Sequence, residues 1–510
     1  MNELTRTENS IRNTILGLVT QVLTVLISFV TRSFFIRYLS IEYLGVNGLF
    51  TSILTVLSLA ELGFGSAMIY SMYAPLAKKD ETKLRQLIKF YSKIYKIIGL
   101  AIGGIGLILI PFLGVLINDA PDVGNLTPIY LLFLLNSVVS YLFVYKKTVL
   151  QADQKQSVIS QIHLYISIFK AGIMITILIL TKNYLLYLVV QVTATLLENI
   201  WISRKVNKTY TFIKEKDNSS LDAKEKASIW DNVKALMIYK VGSTILDGTD
   251  NIIIAAFVGV VSVGYLSNYV LITGSLTMVL HQITHAITGS VGNFVTTENE
   301  EKQETLFHRL GFVYFVVYGF SFVALFMLLN PFITVWLGSD YTLPTLTVLV
   351  ISLNWYIMGI MNPVWTFRAT KGLFKHGKYR PAISAVINVV VSIALAFQFG
   401  LIGVLLGTTI TRLSTNIWYD PYIVFKHGFN KKATRFYVKQ VLYLLTLIVP
   451  IGLLTFAFGY LDTNIVSFII KMILVTVVTL VVIIVFYRRT DEYKYFKQLL
   501  TRFAKGTLIE

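Results

Sequence analysis

Polar and apolar residues do not alternate along this chain. Apolar residues gather instead into long runs separated by short polar breaks. A run of about 20 apolar residues matches the ~30 Å hydrocarbon core of a bilayer when it is helical. Fourteen such segments can be drawn, at 14–38, 45–73, 91–117, 127–150, 159–180, 184–203, 233–258, 264–291, 309–337, 345–367, 381–399, 401–425, 436–460 and 465–487. The expected fold class is an all-α polytopic membrane protein of about 14 transmembrane helices. The first run is too long for a cleaved signal peptide and reads as the first span.

The polar breaks divide these helices into domains. Residues 1–203 form a first lobe of six helices and 204–232 a cytoplasmic linker. Residues 233–425 form a second lobe of six, and 426–510 hold two peripheral helices and a basic tail. The two lobes share short similarities: LENIW at 197–201 with STNIW at 414–418, and LGVNGL at 44–49 with YLSNYV at 265–270. The offsets, 217 and 221 residues, nearly agree. Six-helix halves that repeat with the same topology are related by an axis along the membrane normal.

Composition supports this picture. The chain is 55% hydrophobic and 14% charged, against about a quarter charged in soluble proteins. The net charge of +18 is not a nucleic-acid footprint, because Lys and Arg fall in alternate short loops, at 78–89, 204–234, 368–380, 426–439 and 488–505. By the positive-inside rule these segments and both termini are cytoplasmic, while the opposite side holds little more than Lys182. The basic loops are read as topology determinants and contacts to anionic membrane lipids. The chain has no cysteine, which excludes disulfides, thiol nucleophiles and cysteine metal sites.

Neither an enzyme nor a cofactor is expected. No Walker A pattern is present. His281 and His285 have the i, i+4 spacing of a zinc-protease helix, but Gln282 replaces the glutamate. The loops are too short to hold a catalytic domain.

Candidate chemistry lies inside the spans. A charge near the middle of a lipid-exposed helix costs about 2.5–3.5 kcal/mol, so embedded charges face protein or water. The deep cations are Arg32, Lys170, Lys240 and Arg412, and the deep acids Glu61, Asp247 and Asp250; Glu198 and Asp420 lie nearer the inside. Lys240, Thr244, Asp247 and Asn251 share one helical face, and Asp250 falls on the same side. Asn47, His163, His281, His285 and Asn416 belong to polar stripes of other spans. Two readings stand: helix-to-helix hydrogen bonding, or a polar cavity faced by both lobes. Cations in both halves favour the cavity. An Arg fork and a Lys point charge suit phosphate, and the acids could hold those cations or exchange a coupling ion, H⁺ or Na⁺.

At this point the chain resembles a known family. The segments FIRYLSIEYLGVNGLF (35–50), ELGFGSAMIYSMY (61–73), DGTDNIIIAAFVGVVSVGYLSNY (247–269) and INVVVSIALAFQFGLIGVLLGT (387–408) are similar to those of the polysaccharide-type, or Wzx-like, flippases. These belong to the multidrug/oligosaccharidyl-lipid/polysaccharide (MOP) exporter superfamily. The resemblance implies two bundles in a MATE-like V and alternating access. It further implies a bacterial plasma-membrane location and movement of an undecaprenyl-pyrophosphate-linked oligosaccharide of capsule, exopolysaccharide or O-antigen type from the inner to the outer leaflet. Partners would include a polysaccharide polymerase and glycosyltransferases. A proton- or sodium-coupled multidrug antiporter, a peptidoglycan-precursor flippase and, more distantly, a polysaccharide polymerase or ligase stay as alternatives.

Overall fold

The computed structural model of the chain describes residues 6–61, 63–117, 123–215 and 220–504. Within these ranges the side chains of 6–15, 60, 214, 235, 236, 238, 239, 243, 246, 247, 282, 283, 285, 286 and 502–504 lie outside the description.

The long apolar runs form helices throughout. They are α1 (Arg6–Tyr38), α2 (Ile41–Leu57), α3 (Phe64–Lys78), α4 (Glu81–Ile108), α5 (Leu126–Tyr141), α6 (Val144–Ala152), α7 (Gln156–Thr181) and α8 (Tyr184–Thr209). Then come α9 (Ala223–Gly248), α10 (Asp250–Phe257), α11 (Val260–Thr297), α12 (Glu300–Leu337), α13 (Thr345–Ile360) and α14 (Asn362–Thr370). The chain ends with α15 (Arg380–Ser414), α16 (Asn416–Ile423), α17 (Thr434–Phe458), α18 (Ile465–Tyr487) and α19 (Asp491–Ala504). Several starts are set by Asp or Asn caps. The side chains of Asp80, Asn125, Asn183, Asn299 and Asn464 each accept a hydrogen bond from a backbone N–H of the first turn, satisfying groups that a helix otherwise leaves unpaired.

Ten of the described helical runs are long and apolar enough to cross a membrane, or eleven when the α5–α6 pair, bent by 45°, counts as one span. The fourteen expected segments differ from this at identifiable breaks. Segment 45–73 is α2, a 3₁₀ turn over Ser58–Glu61, and α3, because Gly63 takes φ 100°, a value that side chains rarely adopt. Segment 233–258 breaks at Thr249, between α9 and α10. Segments 381–399 and 401–425 are the two arms of a hairpin that turns at Gly400, with φ 57° and ψ −134°.

Contacts divide the chain into two compact units, Met1–Ser267 and Asn268–Glu510, with the division inside α11. In the first unit α1 lies along α7, and α8 packs on α5 and α7. Helix α2 packs on α5, α9 and α10, and α3 on α4, α6 and α9. The tightest crossing is glycine-based: a Cβ on Gly45 would lie 2.0 Å from the Val260 carbonyl oxygen, and one on Gly264 2.5 Å from that of Ile41. In lipid, where helices gain nothing from leaving water, such close backbone approach is a main source of association.

In the second unit α12 is the centre, touching α13, α17, α18 and α19. Phe307 meets Phe367, Phe425 and Phe429 edge-on at centroid distances of 5.3, 5.2 and 5.7 Å. Phe315 stacks on Tyr443 at 4.0 Å. Each such pair contributes about 0.5–1.5 kcal/mol beyond area burial. The hairpin of α15 closes on a polar ladder. Asn388 Nδ2 donates to Thr408 Oγ1 at 3.0 Å, and Ser384 Oγ to Thr415 Oγ1 at 2.9 Å.

Two cations of the second unit are buried. Lys471 is only 4% exposed, and its Nζ lies over the Phe458 ring at 5.3 Å. Arg368, expected as a loop cation, is 3% exposed and bonds to Asp420.

Candidate functional site

The embedded charges of the first unit gather in three clusters, each joining residues of different helices. The first surrounds Glu61. The 3₁₀ turn Ser58–Glu61 ends α2 early and is followed by Gly63, so Glu61 is carried out of the helical register and packs toward α9. Its electrostatic neighbours are Tyr95, Tyr141 and Lys240. Tyr141 also donates to Ser58 Oγ at 3.0 Å, and Lys240 Nζ donates to Ser66 Oγ at 3.3 Å. The expected acid and the expected cation therefore form one group, half-buried among hydroxyls and rings.

The second cluster lies between α7 and α8. His163 Nδ1 is 3.2 Å from both carboxylate oxygens of Glu198, and its Nε2 is 3.5 Å from Ser167 Oγ. Lys170, one helical turn beyond Ser167, adds its charge to the same carboxylate, as does Lys147. Spacing places His163, Ser167 and Lys170 on one face, but nothing in the spacing signals that Glu198, an acid on the next helix, completes the group.

The third cluster holds Arg32. Its Nη1 donates to Ser267 Oγ at 3.0 Å, and Tyr184 and Tyr187 of α8 lie beside it. Phe35 meets both tyrosines edge-on at 5.7 and 5.4 Å. A guanidinium offers planar, fork-shaped donors that match the geometry of an oxyanion.

Of the other expected acids, Asp250 begins α10, half-buried, where a negative charge suits the positive end of a helix. Beside it Asn251 Nδ2 donates to Ser52 Oγ at 3.0 Å. The Asp247 side chain lies outside the described residues, as does that of His285. Asn47 is half-buried and accepts from Thr51 Oγ1 at 3.5 Å.

In the second unit the expected polar groups bond to neighbouring helices. Arg412 is 8% exposed, with Nη1 donating to the Asn354 carbonyl at 3.0 Å and its side-chain oxygen at 3.3 Å. Asn416 accepts from Arg380 Nη1 at 2.7 Å. In the α11 stripe, Thr277 accepts from Trp355 Nε1 at 2.8 Å and Thr284 from Tyr314 Oη at 3.1 Å. His281 of that stripe is exposed. Among the described residues no group of three or more His, Asp or Glu side chains is arranged to hold a metal ion.

A sequence profile described as "Polysaccharide biosynthesis protein" matches residues 10–288, more than half of the chain and all three charged clusters. The chain belongs to this polysaccharide biosynthesis family. No curated protein matches it by sequence. Among solved structures it is similar to lipid II flippase MurJ in an inward closed conformation, with TM-score 0.64 and 17% identity, covering 94% of this chain and 99% of that one. It is also similar to an inward-facing multidrug resistance MATE family transporter of the MOP superfamily, with TM-score 0.55 and 15% identity over 80% and 98% of the two chains. A third is a MOP superfamily transporter from Pyrococcus furiosus described as having a binding pocket of reverse polarity, with TM-score 0.54 and 14% identity over 83% and 99%. At these identities the likeness is one of fold. The family member therefore has the all-helical MurJ/MATE-type membrane fold that the sequence resemblance implies.

Proposed function

We propose that this family member is a flippase that moves undecaprenyl-pyrophosphate-linked oligosaccharide repeat units, of capsule, exopolysaccharide or O-antigen type, from the inner to the outer leaflet by alternating access. The observation that carries the reading is the set of cations inside membrane helices of the first unit. Arg32, Lys170 and Lys240 sit among hydroxyls, aromatic rings and carboxylates. A pyrophosphate headgroup cannot cross hydrocarbon without such partners, since each unpaired charge there costs several kcal/mol. The guanidinium of Arg32 takes phosphate oxygens through its fork, and the lysines act as point charges. Arg412 joins them as the second unit's cation if its donors leave Asn354 during the cycle. Ser, Thr and Tyr side chains supply hydrogen bonds to sugar. The chain itself makes or breaks no covalent bond in this scheme.

The carboxylates Glu61, Asp247 and Asp250 are the proposed coupling groups for H⁺ or Na⁺. Glu61 is the best supported, because its cation neighbour Lys240 would respond to its loss of charge. The protein works in a bacterial plasma membrane with both termini cytoplasmic, alongside the glycosyltransferases and polymerase that make and extend the repeat unit. The lobes at 1–203 and 233–425 and the peripheral helices of 426–510 are part of the same proposal.

Peptidoglycan-precursor transport is a second reading, favoured by the similarity to the lipid II flippase, whose substrate shares the lipid-pyrophosphate-sugar chemistry. Export of surface polysaccharide in cells lacking their own flippase separates the two. The expected result is restored export by the wild-type chain and its loss, by tenfold or more on the order of one lost charged contact, in Arg32→Ala at equal membrane abundance. Rescue of a lipid II flippase deletion without rescue of export would favour the second reading.

A further inference from the structure

The loop between α14 and α15 builds a pocket that the transport groups do not use. Its foundation is Asp420, which is fully buried. Asp420 accepts hydrogen bonds from Arg368 Nη1 at 2.7 Å and Trp365 Nε1 at 3.0 Å, and pairs with Arg380 Nε at 3.2 Å. Two guanidinium groups on one carboxylate leave a net positive charge. Arg368 Nη2 also donates to the His376 carbonyl at 2.7 Å, which ties the loop down. At Gly377, with φ +74°, a Cβ would come within 2.7 Å of Ile423 and 2.9 Å of Tyr419. Only glycine lets the loop pass so close.

From this pinned loop Lys375 and Lys378 project, both exposed. Neither forms a salt bridge with a described residue; Lys378 lies over the Tyr379 ring at 4.8 Å. They and Arg380 edge a cavity of about 480 Å³ whose wall is formed by Ile383, Ile387 and Trp418. Ile383 is 54% and Trp418 50% exposed, on a run that is apolar enough to cross a membrane. The cavity therefore has a cationic edge at the end of a span and an apolar wall along the span. A soluble anion would have no use for the wall, and a neutral lipid none for the lysines.

We propose that this pocket binds one anionic glycerophospholipid from the leaflet beside the basic loops. Its phosphodiester lies at Lys375, Lys378 and Arg380, and an acyl chain runs along Ile383, Ile387 and Trp418. The tryptophan and Tyr379 suit the headgroup boundary, where amphipathic rings accumulate.

The test is native mass spectrometry of the full chain purified in micelles containing equal phosphatidylglycerol and phosphatidylcholine. Wild-type protein should retain phosphatidylglycerol preferentially. Lys375→Ala/Lys378→Ala should retain it roughly 25-fold less, from about fivefold per lysine near a membrane surface. Arg204→Ala/Lys205→Ala, an exposed pair in the last turns of α8, should change little. Ile383→Ser, which keeps every cation, should also weaken retention. Equal loss in the Arg204/Lys205 variant would assign binding to diffuse charge and overturn the site. Full displacement by millimolar glycerophosphate would make it a headgroup-only anion site, and stronger retention of a polyprenyl pyrophosphate would make it part of the substrate path. Either result contradicts the phospholipid assignment.

Discussion

At the scale of single residues, the deep charges of the first unit do not stand alone. Glu61 and Lys240 come from segments read independently in the sequence, yet they are electrostatic neighbours. Residues in one network show non-additive effects when substituted. Glu61→Gln, Lys240→Met and the double variant should therefore form a non-additive set. Each single change should lower export several-fold, on the order of 1 kcal/mol or more of coupling, and the double variant should be no worse than the poorer single. Export rates at equal membrane abundance measure this; strictly multiplicative losses would show that the two groups act separately. Which residues carry charge inside the membrane was legible in the sequence, because a charge in an apolar run is conspicuous. Their partners were not. Glu198 completes the His163 cluster, and Asp420 gathers Arg368 and Arg380, but these pairings join different helices, and periodicity describes only one helix at a time.

At the scale of elements, the same limit governs the breaks. The existence of the helices follows from apolar runs and Asn or Asp caps. The breaks at Gly63 and Thr249 follow from packing and from one backbone angle. The α11 threonine stripe had two readings, and its observed bonds to Trp355 and Tyr314 are helix-to-helix contacts. The repeat segments around 44–49 and 265–270 carry the close-packed glycines Gly45 and Gly264. Gly264→Ala would place a methyl group 2.5 Å from the Ile41 carbonyl oxygen. Such overpacking costs about 1–3 kcal/mol, so the variant should melt measurably lower in detergent; an unchanged melting temperature would mean that α2 and α11 are not in contact.

A second element-scale prediction concerns α19. Glu492 is paired with Lys439 of α17. Burial pushes its carboxyl up, but the hydrogen bond from Lys439, the backbone and the charges of Lys439 and His308 outweigh this and hold it below the usual range. A pKa depressed in the folded state contributes stability above the unfolded value of about 4.3 that is lost as pH falls through the lowered value. Hydrogen exchange in α19 should therefore be unchanged from pH 8 to 6 once corrected for intrinsic rates, and should rise in acid. At neutral pH Glu492→Gln should mimic part of the acid effect, with about 0.5–1 kcal/mol lost after allowance for solvent screening.

For the whole molecule, class and membrane character were legible from composition and from the alternate basic loops. The family profile over residues 10–288 and the MurJ-type fold agree with that reading. The proposed sidedness is directly testable because the chain has no cysteine. Cysteine placed at position 182 should react with an impermeant thiol reagent added to intact cells. Cysteine placed at position 375 should react only after the membrane is opened; the reverse pattern would invert the topology.

Translocation itself tests the central claim most directly. The purified chain would be reconstituted into liposomes with a fluorescent polyprenyl-pyrophosphate oligosaccharide, and movement between leaflets followed by an impermeant quencher. The account predicts fast flipping by the wild-type protein, loss of it in Arg32→Ala, and no movement of cationic dyes. Dye transport in place of lipid-linked sugar, or equal flipping by wild type and Arg32→Ala, would contradict it.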